Sequence, residues 1–415
     1  MRDEILRLAD KAEARCCDRF REIDHIAYLN TERVLTAFRN HRVSEACLGG
    51  TTGYGYDDLG RETLDKIYAE LLGTEAALVR IGFVNGTHAL TAALFALAKP
   101  GEHILSVTGL PYDTLQQVIG IRNSVFGSLR FYGIGYEQVD LTEDGSPDLN
   151  AISRSASHPG TSAVLIQRSR GYTDRRSLSV NEIKDIVDVV RGVNPQVQIM
   201  VDNCYGEFTE ALEPGHIGAD LLAGSLIKNP GGGLAPSGGY VAGREEHVIR
   251  AAERLTTPGI GGECGATLGN NRLLFQGLFL APHTVAQALK TAVFCAAVME
   301  ILGIPSFPGV DDPRSDIIQT VRFGNAERMK RFCRGIQRGA PVDSYVTPEP
   351  WAMPGYEDPV IMAAGAFIQG SSIELSADGP MREPYNVYMQ GGLTYESGKL
   401  GIMMAVDELL GEDQL

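Results

Sequence analysis

QIMVDNCYGEFTEALEPGHIGADLLAGSLIKNPGGGLAPSGGYVAGR, residues 198–244, decides the fold. Its first part, QIMV, is an apolar run ending on Asp202, which places a carboxylate at the C-terminal end of a buried strand, where open α/β sheets bind ligands. A second run, DLLAGSLI, leads in the same way to Lys228. Strand ends of this kind lie over one cleft, so an acid and an amine separated by a strand-to-strand crossover face the same ligand. GGGLAPSG then supplies turn residues and GGYVAG a third short strand, antiparallel to the one before Lys228 because the connection is too short for a parallel crossover. The stretch predicts an α/β protein with a mostly parallel, mixed sheet flanked by helices. Taken singly, Lys228 is a solvated loop lysine and Asp202 a helix N-cap; together, in one glycine-rich stretch, they point to a cofactor site.

With Ser225 three residues before Lys228, the stretch resembles the fold-type I pyridoxal 5'-phosphate (PLP) enzymes of cysteine and methionine metabolism. The closer resemblance is to the methionine gamma-lyase-like family, often labelled aluminium-resistance proteins, and it covers nearly the whole chain. It implies that Lys228 joins the cofactor aldehyde as an imine and later acts as base, while Asp202 keeps the pyridine nitrogen protonated so that the ring accepts electrons. Ser225 offers a hydroxyl to the phosphate. The family's Ser-x-Thr-Lys is altered here, with Ile227 in place of the threonine. Asn85-Gly86-Thr87 opens a helix where the family has a phosphate-binding Ser-Gly-Met; the amides of Gly86 and Thr87 and the positive end of the helix dipole suit a dianion. Tyr112 stands where relatives place an aromatic ring against the pyridine, and Gln167 or Ser169 near the cofactor's phenolic oxygen.

In the related enzymes a tyrosine and an arginine reach across a subunit interface to the neighbour's phosphate. Tyr54, Tyr56 and Arg61 are the counterparts, with the tyrosine doubled and the arginine several residues later than usual. Arg382 is the candidate for gripping a substrate carboxylate by bidentate pairing, with Arg168 or Arg170 as the next choice. Tyr112 or Tyr56 would protonate the leaving sulfur. The resemblance thus implies a PLP-dependent carbon–sulfur lyase acting on a cystathionine-, cysteine- or methionine-like substrate by β- or γ-elimination, and a homo-oligomer, dimer or tetramer, with shared sites. The same parts suit an aminotransferase or racemase, or a PLP-fold binding protein without turnover.

Composition fits this reading. At 415 residues the chain is long for one core. Residues 1–50 are expected to be helices packing with a small domain, 51–285 a large cofactor-binding domain, and 286–415 a connector helix and small α/β domain. The formal charge of −15 argues against nucleic acid and anionic membranes as partners. Seven cysteines, odd in number and without paired metal spacing, argue against a disulfide framework or metal site and suit a reducing cytoplasm. The N-terminus is amphipathic without a signal-peptide core, and no apolar run is read as membrane-spanning. The Gly231–Gly233 run lacks a following Lys-Ser or Lys-Thr, and no GxGxxG follows the first strand, so neither a P-loop nor a dinucleotide fold is supported.

Along the chain, helical spacing predicts two helices between Asp3 and Val43 broken near Asn30, and a helix from about Asp58 with the stripe Leu59, Leu64, Ile67, Leu71. Strands are expected in HILSVTG and SAVLIQ, and helices from about Val180 to Arg191 and after Arg244. PHTVAQALKTAVFCAAVMEILG reads as the connector helix. Beyond it come a helix at Ala326 to Gln337, strands in VIMAAGAFI and SSIELSA, and a terminal helix from about Gly398 to Leu410.

Overall fold

The computed structural model describes residues 1–353 and 356–411. A 7-stranded sheet is built from β1 (Ala76–Arg80), β2 (His103–Ser106), β3 (Gly135–Gln138), β4 (Thr161–Gln167), β5 (Gln198–Asp202), β6 (Leu221–Ser225) and β7 (Gly239–Gly243), in the order β1-β7-β6-β5-β4-β2-β3. All pairs are parallel except those of β7, which is antiparallel to both β1 and β6, as the short connection from Lys228 requires. Alternate residues feed two cores. Leu165 and Met200 face one side with Leu90 and Leu94, while Val164, Ile166, Ile199 and Val201 face the other with Ile183 and Ile186. Burial on both faces explains why these strands read as continuous apolar runs.

Helices α1 (Asp3–Asn40), α2 (Leu59–Leu72), α3 (Gly86–Leu97), α4 (Asp113–Ile119), α5 (Leu149–Ala156), α6 (Val180–Val193) and α7 (Glu245–Leu255) precede or flank these strands. Side-chain caps set the starts of α2, α3, α5 and α6. Asp58 accepts the Arg61 amide at α2, Asn85 the His88 amide at α3, and Ser179 with Glu182 forms a reciprocal capping box at α6. Helix α8 (Asn271–Ile301) leads to a 5-stranded antiparallel sheet of β8 (Ser306–Phe307), β9 (Ile318–Arg322), β10 (Val360–Ala363), β11 (Ser376–Pro380) and β12 (Asn386–Gln390), ordered β10-β11-β12-β9-β8. Helices α9 (Ala326–Arg338) and α10 (Tyr395–Leu410) pack together beside it.

Four expectations are corrected. The N-terminal segment is one helix, not two: Asn30 is fully buried, and its amide donates to the carbonyls of Phe208 (3.1 Å) and Glu210 (3.0 Å), so it fastens α1 to the large sheet's loops. Helix α8 starts eleven residues before Pro282, which it accommodates in its interior, and runs unbroken through position 285. It is long and apolar enough to cross a membrane by length and composition, but 78% of its most apolar window is buried against α1, α10 and their neighbours, as a core helix is. SSIELSA lies mostly before β11, whose pairing with β12 begins at Ser376.

Candidate active site

Register brings the site together. Asp202, the last residue of β5, lies opposite Gln167 at the end of β4 and Ala223 in β6, and Ser225 ends β6. The chain then turns, with the Lys228 amide donating to the Ser225 carbonyl. Asn229 ties this turn to the next, its side-chain amide donating to the carbonyls of Tyr205 and Glu207, both at 3.0 Å. Tyr205, at φ 71°, takes the left-handed conformation that re-aims the chain after Asp202. Its ring lies under the Lys228 amine, 3.8 Å from Nζ to the centroid. Among the described residues that amine makes no hydrogen bond, and it is half-buried at the cleft.

The electrostatics follow from burial. Asp202 is 4% exposed; burial pushes its carboxyl above the usual range, against the pull of the Lys228 ammonium and the Cys204 amide, which donates to Oδ1 at 3.2 Å. For Lys228 burial opposes the charged form, but the acidic groups around it, Cys204, Tyr205, Asp202 and Tyr112, hold it above its ordinary value. Beneath them Glu207, 1% exposed, accepts from the Tyr240 hydroxyl at 2.8 Å and is raised to about 8 by burial. Gly224 permits this arrangement, since a Cβ there would lie 2.6 Å from both Glu207 Oε1 and the Tyr240 ring.

On the neighbouring side, Ser225 Oγ is buried without a hydrogen-bond partner among the described residues. Gly86 approaches it so closely that a Cβ would stand 3.2 Å from the Ser225 Cβ. At this N-terminus of α3 Asn85 caps the His88 amide, leaving the amides of Gly86 and Thr87 without partners among the described residues. An orphaned hydroxyl facing two free amides at a helix N-terminus is a cradle for a phosphate. Ile227 contributes no hydroxyl, but Thr87 lies close by, its Oγ1 3.1 Å from the Tyr112 hydroxyl and 3.2 Å from Thr114 Oγ1. Tyr112 stands at the N-cap position of α4, and its amide donates to Gln167 Oε1 at 3.1 Å. Burial, with Asp202 nearby, keeps its phenol protonated. The structure therefore brings Gly86, Thr87, Tyr112, Asp202, Ser225 and Lys228 together.

The other expected residues are held by partners of their own. Arg168 is not a free cation: fully buried, it bonds Asn203 Oδ1 and Glu210 Oε1, both at 2.8 Å, and Glu213 Oε2 at 3.3 Å. Ser169 donates to Asp316 rather than facing the cleft, and Gln167 donates to the Ser169 carbonyl. Arg170, 2% exposed, has Nη1 3.2 Å from the Phe307 carbonyl and 3.3 Å from Thr320 Oγ1, and Nε 3.7 Å from Asp316; its Nη2 has no partner among the described residues. Arg382 is half-exposed and pairs with Asp358 at 3.2 Å, with Nη2 donating to the Tyr172 carbonyl at 3.2 Å. Tyr54 and Tyr56 are exposed and stacked, with centroids 5.6 Å apart. Arg61 is 2% exposed and spends its guanidinium on the carbonyls of Gly55, Gly265 (3.0 Å) and Glu263 (3.2 Å), so within its own chain it fixes this loop and does not project from it.

Sequence reasoning missed Tyr205, Tyr172 and Asp378. Tyr205 had a signal, an aromatic residue three positions after the strand-end acid. Tyr172 and Asp378 had none, because their meeting joins the loop after β4 to β11, 206 positions apart.

A buried acid and a lysine at neighbouring strand ends, facing a phosphate cradle in this sheet, define a PLP-dependent enzyme of fold type I, and its cofactor is pyridoxal 5'-phosphate. The chain matches the methionine gamma-lyase family over residues 5–410 and belongs to it. It is 52% identical to a carbon-sulfur lyase involved in aluminum resistance from Clostridium novyi, covering 98% of this chain and 96% of that one, with a TM-score of 0.94. It is 51% identical to protein YnbB of Bacillus subtilis, over 98% of this chain and 96% of that protein. A pyridoxal-5'-phosphate dependent protein, YhfS of Escherichia coli, is 18% identical over 92% of this chain and 96% of its own, and its TM-score of 0.62 shows the shared fold alone.

Proposed function

We propose that this chain is a carbon–sulfur lyase that cleaves a cystathionine-, cysteine- or methionine-like amino acid by β- or γ-elimination. The observation that carries the reading is the Lys228 amine, without a hydrogen bond over Tyr205, beside the buried Asp202 and the orphaned Ser225 hydroxyl. When bound, PLP supplies an aldehyde that takes up amines and a ring that accepts electrons from the substrate α-carbon. Asp202 would hold the ring nitrogen protonated; Gly86, Thr87 and Ser225 would hold the phosphate. Lys228 would fix the cofactor and, once displaced by the substrate amine, take the α-proton on Nζ. Tyr112, protonated through burial, is the proton source for the departing sulfur in its own chain. Tyr56 would serve only from a neighbouring subunit, with Tyr54 and the loop that Arg61 braces. Arg170, through its Nη2, would be the cation for the substrate carboxylate, and Arg382 would serve it only on leaving Asp358 and the Tyr172 carbonyl.

Two observations bear on the wider setting. The C. novyi relative is described as a carbon-sulfur lyase. Seven free cysteines, most of them buried, suit the cytoplasm. We read the domains as dividing near residue 50 and within α8, which spans position 285 as the connector. In β-cleavage the Cα–H and C–S bonds break, sulfur leaves as thiol, and water releases the remaining carbons as ammonia and 2-keto acid. Incubating PLP-loaded protein with a panel of sulfur amino acids therefore tests the reading: thiol, ammonia and keto acid should appear in equal amounts. Keto acid without thiol, or racemised substrate alone, would replace it with transamination or racemisation.

A further inference from the structure

Asp378 is a buried carboxylate with no counter-charge among the described residues. It is 6% exposed, its Oδ2 accepts from the Tyr172 hydroxyl at 2.7 Å and from Gln390 Nε2 at 3.1 Å, and among the described residues it makes no ion pair and its Oδ1 takes no hydrogen bond. Carboxylates buried in proteins are ordinarily paired, because desolvation disfavours the lone ion. The one arginine nearby in sequence, Arg382, is engaged with Asp358 and the Tyr172 carbonyl. Burial accordingly raises Asp378 to about 6, so it is ionised at neutral pH but poorly compensated.

Its direction is fixed by the strand. A Cβ on the next residue, Gly379, would strike Met329 on α9, so Asp378 points to the opposite face, away from that helix. On that face it lies across from Tyr388, whose ring stacks on Tyr172 with centroids 5.1 Å apart at 29°, while Tyr356 lies 5.6 Å from Tyr172 on another side. Tyr205 completes the wall: its hydroxyl is 3.2 Å from Ser372 Oγ, in the segment leading into β11, and its ring underlies the Lys228 amine. A lone carboxylate walled by electron-rich rings suits a cation.

We propose that Asp378 is the specificity residue of this site, binding a second ammonium group carried on the leaving side of a thioether amino acid. The proposal rests on the carbon–sulfur lyase reading and narrows its substrate class to thioethers with two amino groups. The Lys228 end receives the reacting α-amino group, and the Tyr172–Asp378 end receives the distal one.

The test compares L-cystathionine, which carries the second ammonium, with S-ethyl-L-cysteine, which does not, on holoenzyme and on Asp378→Asn. The substitution is isosteric and keeps an acceptor for Tyr172 and Gln390. We expect kcat/KM for cystathionine to fall on the order of 30-fold or more, the cost of removing one partner of a buried charge pair, and S-ethylcysteine to change less than about twofold. Equal losses on both compounds, or no loss on either, overturn the proposal. Calorimetric binding of the two compounds to the same proteins decides the matter separately from turnover. If wild-type protein cleaves neither, the lyase reading fails, yet a preference for cystathionine that disappears in Asp378→Asn still supports Asp378. A preference that survives the substitution, or no preference in the wild type, overturns it.

Discussion

Lys228 is one amine asked to do two things, and its surroundings separate them: the Asn229 clamp and the Tyr205 ring set its position, while Asp202 acts on the cofactor ring. In Lys228→Ala the phosphate cradle of Gly86, Thr87 and Ser225 is intact, so cofactor should still bind but leave the protein completely on denaturation, whereas the wild type retains it covalently after borohydride reduction. Covalent label in the variant, located by peptide mapping, would move the anchor to another lysine. Asp378 offers a second prediction through its stability. Its native carboxyl is raised from 3.8 to about 6, so the native state binds its proton more tightly than the unfolded chain does. Stability is therefore lost as pH rises from 3.8 to about 6, by up to ~3 kcal/mol, and the loss is complete above that window. Asp378→Asn should raise the melting temperature at pH 8 and leave it nearly unchanged at pH 4. An equal rise at both values would mean that the gain comes from packing and not from charge.

At the scale of elements, what could be read in the sequence was what lies close along the chain. β5, β6 and β7, the antiparallel sense of β7, and the cap at Asn85 follow from residues a few positions apart, and so did Asp202, Ser225, Lys228, Gly86, Thr87 and Tyr112. Asn30 misled because asparagine is a weak helix former, and nothing local tells that its side chain is claimed by carbonyls 178 and 180 positions away. The arginines misled for the same reason. Arg168 and Arg61 carry the residue type of an anion site, but distant carboxylates and carbonyls absorb their donors. β9 and β12 escaped because their strand pairing is non-local and their residues include polar ones buried by it, such as Gln319, Thr320 and Gln390. The Asn30 tie makes a prediction at this level. Asn30→Leu removes both donated hydrogen bonds and the one Asn30 accepts from Arg33, and strands two carbonyls under α1, so unfolding should become easier by about 1–3 kcal/mol, seen as a lower urea midpoint. An unchanged midpoint would show that α1 is held by its packing and by the Arg33 bonds to the Ala211 and Leu71 carbonyls without the Asn30 tie.

At the scale of the whole molecule, the loop bearing Tyr54 and Tyr56 decides how complete one chain is. Two tyrosines, 71% and 55% exposed, stand stacked on a loop that is held from within: Arg61 binds its Gly55 carbonyl, and Asp58 accepts from Thr267 at 2.6 Å and Asn271 at 2.9 Å. A loop so firmly braced, presenting aromatic rings to solvent, is prepared for a surface rather than for free movement. Our reading is that the surface is a second copy, whose cofactor site receives Tyr56, and Arg61 acts as the brace rather than the reaching cation. The protein should then run as a dimer or tetramer by light scattering. Lys228→Ala lacks the amine but has an intact loop, and Tyr54→Ala/Tyr56→Ala lacks the rings but has an intact amine. Subunits unfolded together and refolded as a mixture would include sites built from the good half of each, and up to about a quarter of wild-type activity should return under random pairing. Leaving Arg61 in place keeps the loop folded, so the test does not confound a missing ring with a collapsed brace. A fully active monomer, or a mixture as inactive as its components, would show that each chain completes its own site and that the tyrosine pair serves some other contact.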